Sequence, residues 1–436
     1  MADKTTGQVK CLICGEVFDS SLSVCPVCGA GSENFVQVEA ASASFSLDTD
    51  QVFLVLGGGV AAVSAAESIR QRNDDANIVI IHSEPTLPYN RPMLTKSIAA
   101  DTPGNIAIHD ENWYEHNRIY LVHGVVEAID PTIREVLLSG GDRYIYDKCI
   151  YALGAESFIP PIPGTELPGV ISIRAISDVE RLRTLLHGVN DVVLIGGGVL
   201  GLEAASELKK LKKHVSVVEL APRLMGRQLD EEGSAVIKNA CEAAGISVMT
   251  GVTIAGIRGE DGVQSVELGD GTSLPAQLVV MSCGIRANVA VAKAAGAQVG
   301  KAIVVDEHMQ TSLSGIFAAG DCAEYSGINY AIWPEASEQG RVAGANAAGD
   351  RIAYGAFSPA VTFMGLNTAL FALGDVGTAA DKQYEIIKPI SGDTVLEKYY
   401  FLNERLCGCI LVGDISKLAS VMDMLARGAS AAEFRV

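Results

Sequence analysis

The sequence predicts an α/β fold made of two units with parallel sheets, and three observations carry that reading. Apolar runs such as Val52-Phe53-Leu54-Val55-Leu56 and Val192-Val193-Leu194-Ile195 read as strands covered by helices on both faces, because such strands lose the alternation of half-exposed ones. Each run ends in a triple-glycine turn that opens a helix-like segment. From Gln51 onward apolar strands and helical stretches alternate, as crossover-connected parallel strands do. The chain has 436 residues, 48% of them hydrophobic, which allows two to four domains at ~100–200 residues each, with sizeable cores. Its mean hydropathy of +0.26 is accounted for by the buried strands.

In chain order the first element is a cysteine site. Four of the ten cysteines fall in Cys11-Leu-Ile-Cys14-Gly15 and Cys25-Pro-Val-Cys28-Gly29, with ten residues between the pairs. Two such turns place four thiolates at the corners of a tetrahedron, and soft S₄ sites select zinc or iron. The polar start, residues 1–10, lacks a secretory signal and predicts a cytoplasmic location, where disulfides are disfavoured. The stretch from Cys11 to Phe35 resembles the short rubredoxin-like domain of rubrerythrins, which implies one iron held by Cys11, Cys14, Cys25 and Cys28. Short zinc ribbons use similar spacings, so zinc remains the alternative. Residues 37–50, rich in Ala, Ser and acids, read as a linker with an r.m.s. span of ~20 Å.

The two glycine turns are copies of one signature. The first is Gly57-Gly58-Gly59-Val60-Ala61-Ala62, before a helix over 63–72 and a strand over 78–81 leading to Glu84. The second is Gly196-Gly197-Gly198-Val199-Leu200-Gly201, before a helix over 202–211 and a strand over 215–218 ending at Glu219. In a Rossmann-like unit the first glycine (Gly57, Gly196) makes the tight turn. The second (Gly59, Gly198) lets the backbone approach a pyrophosphate, and the small third residue (Ala62, Gly201) lets helix and strand pack closely. The helix N-terminus then faces the phosphates, and the acid accepts a hydrogen bond from the ribose. Two dinucleotides are implied.

Residues 51–354 resemble the FAD-dependent pyridine nucleotide–disulfide oxidoreductase superfamily. The matching pieces are Pro88-Tyr-Asn-Arg-Pro-Met-Leu-Thr-Lys96, Tyr151-Ala-Leu-Gly-Ala155, Cys283-Gly-Ile-Arg-Ala-Asn288 and Thr311-Ser-Leu-Ser-Gly-Ile-Phe-Ala-Ala-Gly-Asp321. The resemblance implies that the first unit binds FAD and the second, inserted into it, binds NAD(P)H. It also implies that Arg91 and Lys96 lie along the pyrophosphate and flavin, that Asp321 holds the ribityl or phosphate portion, and that Glu203 pairs with Lys96 beside the flavin N5. Pro334 marks a helix start, and in the family that helix points at the flavin pyrimidine, with Trp333 beside the ring. Glu219 favours NADH over NADPH, since a carboxylate there repels a 2′-phosphate.

The resulting layout is a metal domain over 1–36, the linker over 37–50, and an FAD domain over 51–163 and 284–354. An NAD(H) domain follows over 164–283, then a short α+β interface domain over 355–436. No cysteine lies between Val52 and Lys148, so the redox cysteine of disulfide reductases is missing, and Cys149, Cys241, Cys283, Cys322, Cys407 and Cys409 read as structural thiols. The Tyr-Asn-Arg-Pro segment and the short C-terminal region resemble NADH:rubredoxin oxidoreductases. The function implied is transfer of electrons from NADH through FAD to a rubredoxin-type iron centre, fused or separate. The partner is a rubredoxin or a downstream protein that reduces oxygen, peroxide or nitric oxide. An NADH oxidase or peroxide reductase with an accessory zinc ribbon is the alternative, as is a ribbon that only recruits a partner. A formal charge of −19 excludes nucleic acid as a partner. No run is long enough to cross a membrane, and the short tail favours a monomer.

Overall fold

The computed structural model describes residues 7–12, 17–25, 30–38, 45–100, 106–355, 360–377, 379 and 381–435. Two five-stranded parallel sheets dominate it. The first runs in the order Ile316–Ala318, Lys148–Tyr151, Val52–Leu56, Asn77–His82, Ile119–His123. The second runs Val170–Ser172, Leu278–Met281, Asp191–Ile195, His214–Glu219, Ile246–Thr250. In both, the strand that ends in the glycine turn is central, and its last four residues are buried. An antiparallel pair, Ala155–Ser157 with Ile285–Ala287, carries the chain out of the first unit and back into it.

The helices after the glycine turns are Val60–Arg70 and Val199–Lys210, three residues earlier than the apolar periodicity predicts. The reason is local. Gly59 and Gly198 are extended N-caps, with ψ of 178° and −179°, so helical geometry begins at the very next residue. The helix Trp333–Ala347 lies along Val60–Arg70 at unusually close range. A Cβ at Gly340 would stand 2.2 Å from the Ala61 carbonyl oxygen, and one at Gly344 would stand 2.2 Å from that of Ala65.

The C-terminal region is an antiparallel sheet in the order Ala360–Gly365, Thr368–Gly374, Arg405–Val412, Leu396–Leu402, Glu385–Ser391, followed by the helix Leu418–Ala426. One face, with Phe363, Leu370, Tyr400 and Ile410, shares a core with Leu202, Ala205 and Leu208 of the second unit. The other face, with Phe371, Leu373, Tyr399 and Leu411, shares a core with Leu418 and Val421 and with Val9, Cys11, Phe18 and Cys25 of the N-terminal lobe. That lobe is a small antiparallel sheet of Gln8–Cys11, Val17–Asp19 and Phe35–Gln37.

One expectation changes. Residues 45–50 are not free linker: the Leu47 N–H donates to the Arg72 carbonyl at 2.8 Å and the Thr49 N–H to Asn73 Oδ1 at 3.0 Å, so the end of the first helix supplies partners for this backbone. Cys407 and Cys409 lie on one strand yet pack on opposite faces, because the register slips between Tyr400 and Phe401 and leaves Cys407 as an extra residue. Among the described residues no helix is long and apolar enough to cross a membrane.

Candidate active site

Both glycine turns open onto one cavity of about 2110 Å³, well above the ~300–1,000 Å³ of an ordinary small-ligand pocket. Gly57 (φ +128°) and Gly196 (φ +113°) take a backbone conformation that L side chains avoid. A Cβ at either would collide with a carbonyl, Ala152 at 2.0 Å or Ser282 at 2.2 Å. Gly59 and Gly198 are glycine for another reason. Nothing lies within 4 Å of where their Cβ would be, and both line the cavity, so a side chain there would fill the space that a phosphate needs. Ala62 and Gly201 stay outside the cavity wall and set packing instead: Ala62 is fully buried, and a Cβ at Gly201 would lie 2.2 Å from the Gly196 oxygen.

The two acids at the strand ends both line the cavity but are held differently. Glu219 Oε2 accepts from the Gly197 N–H at 2.6 Å and Oε1 from the Ala221 N–H at 2.7 Å. Glu84 instead takes side-chain donors, the Tyr89 hydroxyl at 2.6 Å and the Arg91 guanidinium. Arg91 also donates to the Tyr89 oxygen at 2.9 Å and to the Arg174 carbonyl at 2.7 Å.

Lys96 and Glu203 form an ion pair at 3.0 Å that joins the first unit to the second. Glu203 Oε2 accepts from Thr95 Oγ1 at 2.7 Å, and Lys96 Nζ donates to the Met364 carbonyl at 2.9 Å. All four residues line the cavity. Both charged side chains are largely shielded, at 21% and 11% exposure, and partial shielding of this kind strengthens a pair relative to one in water.

Asp321, on the short turn Gly320–Cys322, pairs with Arg174 at 2.6 Å. Sequence reasoning missed Arg174. Its available signal was the helix start that follows: Asp178 caps the Arg174 and Ala175 N–H groups, both at 2.8 Å, and so fixes the arginine at the cavity wall. Trp333 begins the Trp333–Ala347 helix at the same wall. The first unit therefore fits an FAD: it offers free space at Gly59, two arginines for the pyrophosphate, and two buried polar atoms, His82 Nδ1 and Thr86 Oγ1, that have no hydrogen-bond partner within the protein.

Of the four proposed metal ligands, Cys11 and Cys25 are buried in the core shared by the N-terminal lobe and the C-terminal sheet. Cys14 and Cys28 lie outside the described residues. Among the described residues no group of three or more His, Cys, Asp or Glu side chains gathers as a metal site. Elsewhere burial pushes thiols up, Cys241 to about 12 and the cavity-lining Cys283 to about 11, so neither is a ready thiolate.

Comparison with known proteins agrees with this geometry. Residues 52–340 match the family model described as pyridine nucleotide-disulphide oxidoreductase. The chain belongs to that family. FAD and NAD(H) are the cofactors that fit this family. The chain is 33% identical to a nitrite reductase [NAD(P)H] of Bacillus subtilis, over 87% of this chain and 48% of the relative. It is 32% identical to a rubredoxin-NAD(+) reductase of Pseudomonas putida, over 62% of this chain and 71% of the relative. The crystal structure of a ferredoxin reductase from Rhodopseudomonas palustris superposes with a TM-score of 0.81 at 29% identity, covering 88% of this oxidoreductase and 96% of that chain. This chain thus spans about half the length of the nitrite reductase it matches.

Proposed function

We propose that the oxidoreductase takes a hydride from NADH onto FAD and passes electrons to a rubredoxin-type iron centre, in its own N-terminal lobe, on a separate rubredoxin, or both. The observation that carries this reading is the single cavity shared by both glycine turns, with the Lys96–Glu203 pair joining its two halves. When bound, FAD supplies the conversion of a two-electron donor into one-electron deliveries, which neither NADH nor a mononuclear iron provides.

The chain's own residues have these roles. Gly57, Gly59 and the N-terminus of Val60–Arg70 hold the FAD pyrophosphate, with Arg91 and Arg174 as counter-charges and Glu84 and Asp321 for the ribose and ribityl hydroxyls. Gly196, Gly198 and the N-terminus of Val199–Lys210 hold the NADH pyrophosphate. The Glu219 carboxylate, already fixed by two N–H groups, accepts from a ribose hydroxyl and repels a 2′-phosphate. Lys96, oriented by Glu203, places a cation where negative charge collects during hydride transfer. Trp333 packs at the ring end of the wall and excludes water.

Cys11, Cys14, Cys25 and Cys28 are proposed as the ligands of the iron, with zinc as the alternative occupant. The relatives named as rubredoxin and ferredoxin reductases support a redox protein as acceptor. The test is metal and FAD analysis of the purified chain, with NADH-driven reduction of added oxidised rubredoxin measured anaerobically beside NADH consumption in air. Iron, FAD and faster turnover with rubredoxin are expected. Zinc, with turnover only in air, would overturn the reading.

A further inference from the structure

Behind the cofactor wall lies a carboxyl group that no role above uses. Glu335, in the first turn of Trp333–Ala347, is only 4% exposed, and it is not part of the cavity lining. Among the described residues no Lys or Arg is ion-paired with it. Oε2 accepts from the Tyr330 N–H at 3.2 Å, the Ala331 N–H also donates to the carboxylate, and Oε1 accepts from the Tyr354 hydroxyl at 3.2 Å and Gln339 Nε2 at 3.3 Å. Gln339, 1% exposed, turns its own oxygen to the Gly320 N–H at 2.9 Å.

Two turns that line the cavity therefore converge on one buried group. The first is 330–333, where Ala331 sits at φ +53°, a left-handed conformation that costs an alanine ~1–2 kcal/mol. The second is 319–321, which carries Asp321. A carboxylate has enough lone pairs to accept all four donors at once, which a hydroxyl or a single amide oxygen cannot do. Burial without a cation is a cost, visible in the Glu335 carboxyl being pushed up to about 7 by desolvation. A buried, costly, fully used acceptor beside a strained turn is better explained by the geometry it imposes than by stability.

We infer that Glu335 is a positioning residue for the FAD site, a hub that holds the Tyr330–Trp333 turn and the Asp321 turn in the geometry the cofactor requires. This rests on the assignment of FAD to the first unit. It acts through Ala331, Gln339 and Tyr354, and does not touch the cofactor.

The test uses the full chain as wild type, Glu335→Ala and Glu335→Gln, each stripped of flavin and titrated with FAD by fluorescence quenching, with visible circular dichroism recorded at saturation. The alanine variant loses every bond to the hub, and a lost hydrogen bond to a charged group corresponds to about ten-fold or more in affinity. Glutamine keeps one acceptor oxygen, which serves the Tyr330 and Ala331 amides, but turns an NH₂ toward that of Gln339. It is expected to weaken FAD about two- to three-fold and to restore most of the flavin dichroism that alanine alters. Wild-type affinity and dichroism in both variants would overturn the inference, as would a loss of thermal stability with FAD affinity unchanged. If the alanine variant does not fold, Glu335→Gln decides: a weakened FAD complex supports the role and an unchanged one refutes it. A wild-type protein that binds no FAD would refute the cofactor assignment instead, so the two failures are distinguishable.

Discussion

The two glycine turns share a motif and differ in what covers them. In the first unit Ala61 is 6% exposed, packed beneath the helix Trp333–Ala347 at Gly340. In the second, the residue in the same motif position, Leu200, is 49% exposed. The acids differ in parallel. Glu84 is bound up with Tyr89 and Arg91, whereas Glu219 is fixed by backbone N–H groups alone. One glycine turn is roofed and ringed with side-chain donors, as suits the resident cofactor proposed for it. The other is preformed and open, as suits a substrate that arrives and leaves.

The sharpest way to break this comparison is to pry the roof off the first unit. Gly340→Val would drive a branched side chain into the Ala61 carbonyl. It is expected to cost ~3 kcal/mol or more and to abolish FAD retention, read as flavin content and Tm. Leu200→Ala, on the open helix, is expected to leave Tm within about one degree and to raise the KM for NADH a few-fold, because a half-exposed leucine contributes little to folding. Equal loss of stability in the two variants would mean that the units are not specialised as described.

At the junction of the units, Lys96→Ala is expected to slow flavin reduction by NADH about 10²-fold in stopped-flow measurements, the scale for removing one preorganised electrostatic group. Glu203→Ala, which only loosens the lysine, should slow it about ten-fold. Unaltered hydride transfer in Glu203→Ala would remove that role. In the open site, Glu219→Ala is expected to raise the KM for NADH about ten-fold and to narrow the preference against NADPH, by loss of one charge-assisted hydrogen bond.

A pH-dependent effect on stability comes from Glu335. Its carboxyl is raised from 4.5 to about 7 by burial, with Tyr330, Tyr354 and Asp321 as the titratable groups facing it. Between those values the folded chain keeps a proton that the unfolded chain has released. This contribution to stability is therefore fully present below pH ~4.5 and is lost as pH rises to ~7, on the order of 3 kcal/mol across the window. Glu335→Gln should flatten that segment of the stability profile in denaturant titrations.

Much of this was legible before the structure. The apolar strands, the two glycine turns and the acids after them marked both cradles, and the Lys96–Glu203 pair followed from resemblance. Local geometry moved the helix starts to Val60 and Val199, because an extended glycine cap is invisible to periodicity. Contacts between distant parts of the chain were hidden. Arg174 meets Asp321, and Glu335 gathers partners from the loop before its helix and from Tyr354 after it, with no sequence pattern to announce either. The seating of the N-terminal lobe on the C-terminal sheet was equally silent, since Phe371 and Tyr399 look like ordinary strand residues. That seating matters for function: the cysteine lobe shares a core with the sheet whose edge strand carries Met364, the acceptor of the Lys96 ammonium.

The central claim is that electrons entering through the open site leave through the roofed one toward the cysteine lobe. Anaerobic titration of the purified 436-residue chain with NADH, followed by complete visible spectra, tests it most directly. The expected result is a protein whose yellow flavin band and ferric-thiolate absorption both bleach, with the iron signal lost no later than the flavin. A flavin that reduces fully while an intact ferric centre stays oxidised would contradict delivery to the cysteine lobe, and a chain with no coloured metal that also fails to reduce added rubredoxin would contradict the account as a whole.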